Sequence, residues 1–94
     1  MKSRLSDFLK EKRLAANLTQ AEVAHKMGYS SPQFVSNWER GVSNPPVETL
    51  KELAKLYNAS IDDIYEILLK SSIEEVERNL RKKFYKDTKK ARRA

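Results

Sequence analysis

The 94-residue chain has no cysteine, two glycines, three prolines and one histidine. Without cysteine there is no disulfide framework and no thiolate metal site, so the cytoplasm is the expected compartment. With a single histidine, a His-based metal site or a catalytic triad is not the expected reading, and no metal or cofactor is expected. No stretch approaches the ~18 to 20 apolar residues of a membrane-spanning helix. The opening residues Met1-Lys2-Ser3-Arg4 lead into mixed polar sequence, not into the apolar segment of a secretory signal. Alternating strand patterns and internal repeats are also missing. So little glycine and proline predicts an all-α chain of helices joined by short turns. The length suits one small domain with one modest core.

What the chain has in excess is positive charge. Nineteen Lys and Arg face thirteen Asp and Glu, a net of +6. A polyanion partner, nucleic acid or an acidic surface, is one explanation and plain solubility is another. The distribution is uneven. Residues 1–70 carry ten basic and nine acidic side chains, while residues 71–94 carry nine and four. Nearly all the excess therefore belongs to the last quarter of the chain.

Helical periodicity organises residues 1–70. Leu5, Phe8 and Leu9 mark a first helix over residues 3–16, ended by Asn17, which tolerates a left-handed backbone. Thr19-x-x-Glu22 is a capping box opening a second helix, with Val23, Ala24 and Met27 inward and Gly28 as its stop. Ser31 and Pro32 suit the cap and first position of a third helix over residues 32–40, with Val35 and Trp38 inward and Gly41 after it. A fourth helix carries Leu50, Leu53, Ala54 and Tyr57. Ser60 and Asp63 form a second capping box for a fifth, with Ile61, Ile64, Tyr65 and Leu68 toward the core.

Residues 71–94 read as a C-terminal basic extension. Ser72-x-x-Glu75 predicts a sixth helix with a narrow stripe of Ile73, Val76, Leu80 and Phe84. That stripe can fold back onto the domain, pair with its twin, or dock another protein. The basic flank (Arg78, Arg81, Lys82, Lys83, Lys86, Lys89, Lys90, Arg92, Arg93) suits DNA phosphates, another polyanion or solvent. From Asp87 onward a frayed or disordered end is expected.

The short helix, tight turn and second short helix over residues 19–40 can set one helix in a DNA major groove while another crosses the backbone. Ser31, Gln33, Ser36 and Asn37 fall on the outward face of the third helix. Gln and Asn amides donate and accept together, which suits base edges, and Gln33 and Asn37 share a face at i, i+4. By pattern alone, a small helical bundle with an ordinary polar surface fits equally. No base is placed to activate a serine, so enzyme chemistry is not expected. Asp62, Asp63 and Glu66 suit a helix N-terminus better than a metal site.

The stretch Leu18-Thr19-Gln20-Ala21-Glu22-Val23-Ala24 through Gly28, then Val35-Ser36-Asn37-Trp38-Glu39-Arg40-Gly41, then Pro45 and Glu48-Thr49-Leu50-x-x-Leu53-Ala54, resembles the phage-repressor-like helix-turn-helix family. That group includes the phage lambda repressor and the xenobiotic-response-element regulators. The resemblance covers roughly Leu5 to Leu69. It implies a compact five-helix domain that binds operator DNA as a homodimer and regulates transcription, as a repressor, in the cytoplasm and at the nucleoid. It assigns phosphate contacts to Thr19, Gln20, Arg40, Ser43 and Asn44, and base contacts to Ser31, Gln33, Phe34, Ser36 and Asn37. Arg13 and Glu39 match a structural ion pair. Two departures stand out. Between Gly28 and Trp38 the chain has one residue more than the commoner pattern, placed in Tyr29-Ser30-Ser31. Phe34 stands where a small polar residue is usual, either facing a thymine methyl or sugar, or tucked into the protein. An antitoxin with a toxin-binding C-terminal segment, or an interaction module that has lost DNA binding, are the competing functions.

Overall fold

A computed structural model describes residues 4–86, with α1 Arg4–Ala15, α2 Gln20–Lys26, α3 Gln33–Glu39, α4 Val47–Leu56 and α5 Ile61–Tyr85. The described residues contain no strand, and the architecture is the expected all-α, five-helix one. The expectations for residues 87–94, including the roles of Lys89, Lys90, Arg92 and Arg93, lie outside the described residues.

The first four helices end by one local device. Asn17, Gly28, Gly41 and Asn58 have φ of 59°, 82°, 77° and 54°, the only positive values among the described residues. Each directly follows a helix's C-cap. The residue after each one donates its amide back across the last turn: Leu18 to the Arg13 carbonyl, Tyr29 to Ala24, Val42 to Asn37 and Ala59 to Ala54, at 3.2, 2.9, 2.9 and 2.8 Å. These are Schellman closures, which satisfy carbonyls that a helix end would otherwise leave unpaired. At Gly28 a side chain would meet nothing within 4 Å, so glycine is required there by the backbone angle and not by crowding.

The helix starts are less uniform. Thr19 Oγ1 accepts from the Glu22 amide at 3.0 Å, and Glu22 Oε1 accepts from the Thr19 amide at 2.8 Å, a complete capping box. Ser60 Oγ accepts from the Asp63 amide at 3.2 Å, but only that half of the expected second box is formed. Asp is one methylene shorter than the Glu or Gln that normally reaches back. The α3 start also differs from expectation. Pro32 occupies the cap itself, with no side-chain cap bond, and Ser31 Oγ makes only a long 3.4 Å contact with the Gln33 amide.

The core gathers Leu5 and Leu9 from α1, Val23 and Ala24 from α2, Val35 and Trp38 from α3, and Leu50, Leu53 and Ala54 from α4. Tyr57 and Ile64 complete it. The α1 helix packs on α3 and α5, α2 on α3, and α4 on α5.

The largest correction concerns α5. No separate sixth helix forms at Ser72-x-x-Glu75. Instead α5 runs unbroken for 25 residues through that point. Residues 61–85 contain no glycine or proline, and no left-handed residue lies between them to close the helix. Ile61 and Tyr65, expected inward, are exposed. Ile64 is buried, and Ile67 and Leu68 are half-buried against the core. That i, i+3, i+4 stripe turns Tyr65 away from it. Residues 72–86 project past the domain, all exposed. The radius of gyration of 16.9 Å reflects this overhang, against about 12 Å for a compact chain of this size.

Candidate nucleic-acid interface

The α2–turn–α3 unit is held from behind by a polar cluster. Arg13 donates from Nε to Glu39 Oε2 at 2.7 Å and from Nη2 to Glu39 Oε1 at 3.0 Å. Its Nη1 donates to the Leu18 carbonyl at 2.7 Å, just before α2 begins. Gln20 Nε2 donates to Glu39 Oε1 at 3.0 Å. Glu39 is 3% exposed and Arg13 7%. One carboxylate therefore ties the end of α1, the start of α2 and the end of α3 together. The Glu39 hydrogen bond raises the Arg13 pKa above its ordinary value, outweighing the opposing effect of burial. Forked Arg–carboxylate geometry adds direction to charge, and removing one partner leaves the other buried and unpaired. Tyr57 packs within electrostatic reach. Its phenol is pushed well above its ordinary pKa, first by burial and then by the Glu39 charge.

On the opposite side of α3 a second polar set lies at the surface. Gln33 Nε2 donates to Asn37 Oδ1 at 3.0 Å, and Arg40 Nη2 donates to the same oxygen at 2.7 Å. Arg40 Nε donates to Ser36 Oγ at 3.3 Å. With its oxygen doubly engaged, Asn37 keeps its amide hydrogens for another acceptor, and Gln33 keeps its side-chain carbonyl. Ser31, Gln33 and Phe34 are exposed, and Ser36 and Asn37 are half-buried.

An aromatic cluster sets the front edge. The Tyr29 ring lies 5.0 Å from that of Phe34 and 5.9 Å from that of Trp38, and Phe34 and Trp38 are 6.5 Å apart. Phe34 fits neither of its two expected placements alone. It leans on Tyr29 yet stays 54% exposed. The longer turn thus delivers Tyr29 as a wedge beneath Phe34, a role its reading as a turn residue did not include.

The expected site residues divide into three groups. Gln33, Ser36, Asn37 and Arg40 come together in one hydrogen-bonded set, so Arg40, expected to contact phosphates, is joined to residues expected to contact bases. Gln20, expected to face a phosphate, is half-buried and spends one amide hydrogen on Glu39. Thr19, Ser43 and Asn44 are exposed and outside both sets. The Arg40 link was available at i, i+3 and i, i+4 spacing. The Gln20–Glu39 link spans nineteen positions and had no local signal.

A helix-turn-helix family model matches residues 9–64, more than half of the chain, including the whole of α2, α3 and α4 and both polar sets. The chain belongs to the phage-repressor-like helix-turn-helix family. Among relatives, its helix-turn-helix region is 43% identical over 58 residues to the HTH-type transcriptional regulator ImmR of Bacillus subtilis, covering 62% of this chain and 45% of that protein. It is 34% identical over 59 residues to the HTH-type transcriptional activator BcrR of Enterococcus faecalis, covering 63% of this chain and 28% of the relative. An uncharacterized HTH-type transcriptional regulator of Archaeoglobus fulgidus is 35% identical over 65 residues, covering 69% of this chain and 84% of its own length. The helix-turn-helix chain thus spans less than half of ImmR and BcrR. No solved structure matches it. No helix among the described residues is long and apolar enough to cross a membrane.

Proposed function

We propose that this helix-turn-helix chain is a sequence-specific DNA-binding transcriptional regulator that reads double-stranded operator DNA with α3 in the major groove. The observation that carries the reading is the surface set Gln33–Asn37–Arg40–Ser36. It presents free amide hydrogens and a carbonyl along one side of a short helix whose angle is fixed from behind by Glu39. Such preordering lowers the cost of aligning polar side chains against base edges. Thr19, Gln20 through its second amide hydrogen, Ser43 and Asn44 face phosphates, and Ser31 and Phe34 lie at the leading edge. The protein works as a homodimer on an inverted repeat with half-sites about 34 Å apart, and its occupancy blocks transcription in the cytoplasm. Residues 1–70 do the reading, and residues 71–94 add charge.

Selection of bound sequences from random DNA, run at two salt concentrations, tests this. An inverted repeat and a salt-dependent affinity are expected; sequence-indifferent binding excludes the reading. Asn37→Ala weakens operator binding by about 1–3 kcal/mol and relaxes preference at one position without unfolding the domain. A promoter–reporter assay separates repression from activation, the latter being the role that the relative BcrR is named for.

A further inference from the structure

Three side chains on the outer face of α3 and its C-cap share one acceptor. Arg40 Nη2 donates to Asn37 Oδ1 at 2.7 Å, and Gln33 Nε2 donates to the same oxygen at 3.0 Å. Arg40 Nε donates to Ser36 Oγ at 3.3 Å, so two contacts hold the guanidinium along its own helix. An amide side chain can turn over and exchange its donor and acceptor ends, and a hydroxyl can rotate, whereas a guanidinium carries donors alone. Arg40 is thus the one member of the set with a fixed polarity. It holds the Asn37 oxygen toward itself, and that oxygen in turn takes the nitrogen end of Gln33. Both lone pairs of Asn37 Oδ1 are then spent. Asn37 is left to show its NH2 group, and Gln33 its carbonyl with one N–H.

These two amides suit different bases. In the major groove the keto bases, guanine and thymine, offer acceptors at O6 and O4, and the amino bases, adenine and cytosine, offer donors at N6 and N4. An unengaged asparagine pairs with adenine by donating to N7 and accepting from N6. Asn37 has no oxygen left for that. Its NH2 group matches a keto oxygen, and against an amino group it sets donor on donor in a site that DNA closes to water, which is costly. Gln33 keeps the carbonyl and N–H that adenine takes. Closure also strengthens the Arg40 bond, since a charge-assisted hydrogen bond gains in a low dielectric. The N–H groups that Arg40 does not spend on Asn37 and Ser36 remain for a phosphate.

We propose that Arg40 is a positioning residue for base preference: by fixing the Asn37 amide it selects a keto base opposite Asn37 and leaves adenine to Gln33. This rests on the operator reading above and names the bases read at that site.

Selection of bound sequences by the full chain and its variants tests this. The position facing Asn37 is the one at which Asn37→Ala relaxes preference. There the unaltered chain should favour guanine or thymine over adenine and cytosine roughly tenfold. Arg40 is exposed, so the domain folds without it. Arg40→Gln puts in its place an amide that can turn either way, so the keto preference should fall to about twofold or less and adenine should enter. Loss of a phosphate contact alone weakens all sequences alike and keeps their ranking. An unchanged ranking in Arg40→Gln therefore overturns the proposal. Asn37→Asp keeps one oxygen for Arg40 and shows the other outward, which should invert the preference to the amino bases; a retained keto preference there also overturns it. An operator with adenine or cytosine opposite Asn37 in the unaltered chain removes this proposal and leaves the operator reading standing, whereas no selected sequence at all removes both.

Discussion

Helices α1 to α4 and the C-terminal half of α5 are built on opposite terms. Each of the first four is short, at seven to twelve residues, and each is closed by a left-handed Asn or Gly. Isolated helices of that length are marginal in water, so their order comes from the shared core. The described part of the chain beyond Ser71 has no buried residue and no closing signal. Its helix rests on intrinsic propensity, on i, i+4 pairs such as Glu77–Arg81 at 3.8 Å, and on continuity with a packed first half. Charge divides the same way: near balance through residue 70, strongly positive after it. Net charge is therefore a poor guide to where a helix-turn-helix protein reads its partner. The proposed reading face is set by placed amides and a buried carboxylate, and the basic excess sits elsewhere.

Substitutions in the two regions test that contrast. The largest effect is expected at Glu39→Ala, which strands Arg13 in the interior and costs about 3–5 kcal/mol in urea unfolding. A loss below about 1 kcal/mol would mean the pair behaves as a surface bridge. Leu53→Ala should cost about 2–5 kcal/mol as a core cavity. Leu80→Ala, measured where the chain is monomeric, should stay within about 0.5 kcal/mol. Equal losses at the two leucines would erase the distinction between the regions. Gly28→Ala should cost about 1–2 kcal/mol from the left-handed backbone alone, with Gly28→Asn recovering part of it, since space around the site is open.

The smallest effect concerns pH. Tyr57 has a folded-state pKa raised above its unfolded value, so the buried neutral phenol contributes stability that is fully present below the unfolded value, near pH ~10. It is lost as pH climbs beyond that, because the unfolded chain ionises first. Tyr57→Phe should flatten the decline of stability in alkaline titrations. An unchanged slope would place its source at other groups.

Much of this was readable in advance because the signals are local. Thr19-x-x-Glu22, Asn17, Gly28 and Gly41 act through hydrogen bonds spanning three to five residues. The inward positions of α2 to α4 follow from helical spacing. Misreadings arose where a local signal had a competitor. Ser72-x-x-Glu75 resembles a cap, but nothing upstream ends the preceding helix. Ile61 and Tyr65 are apolar enough for the core, yet the stripe through Ile64 and Leu68 takes that side. Ser31 yields the cap position to Pro32. Arg13–Glu39 was legible only through family resemblance, because no periodicity links positions 26 apart.

The sequence by itself determined where α1 to α3 end, which side chains of α1 to α4 turn inward, and that Gln33 and Asn37 share an outward face. All of these depend on backbone angles and helical period. Only the tertiary structure decided that Glu39 collects both Arg13 and Gln20, that Tyr29 props Phe34 half out of the protein, and that the apolar stripe of α5 lies on the side away from the core. Those depend on how separate helices meet in space, where burial turns a carboxylate and two donors into a rigid joint.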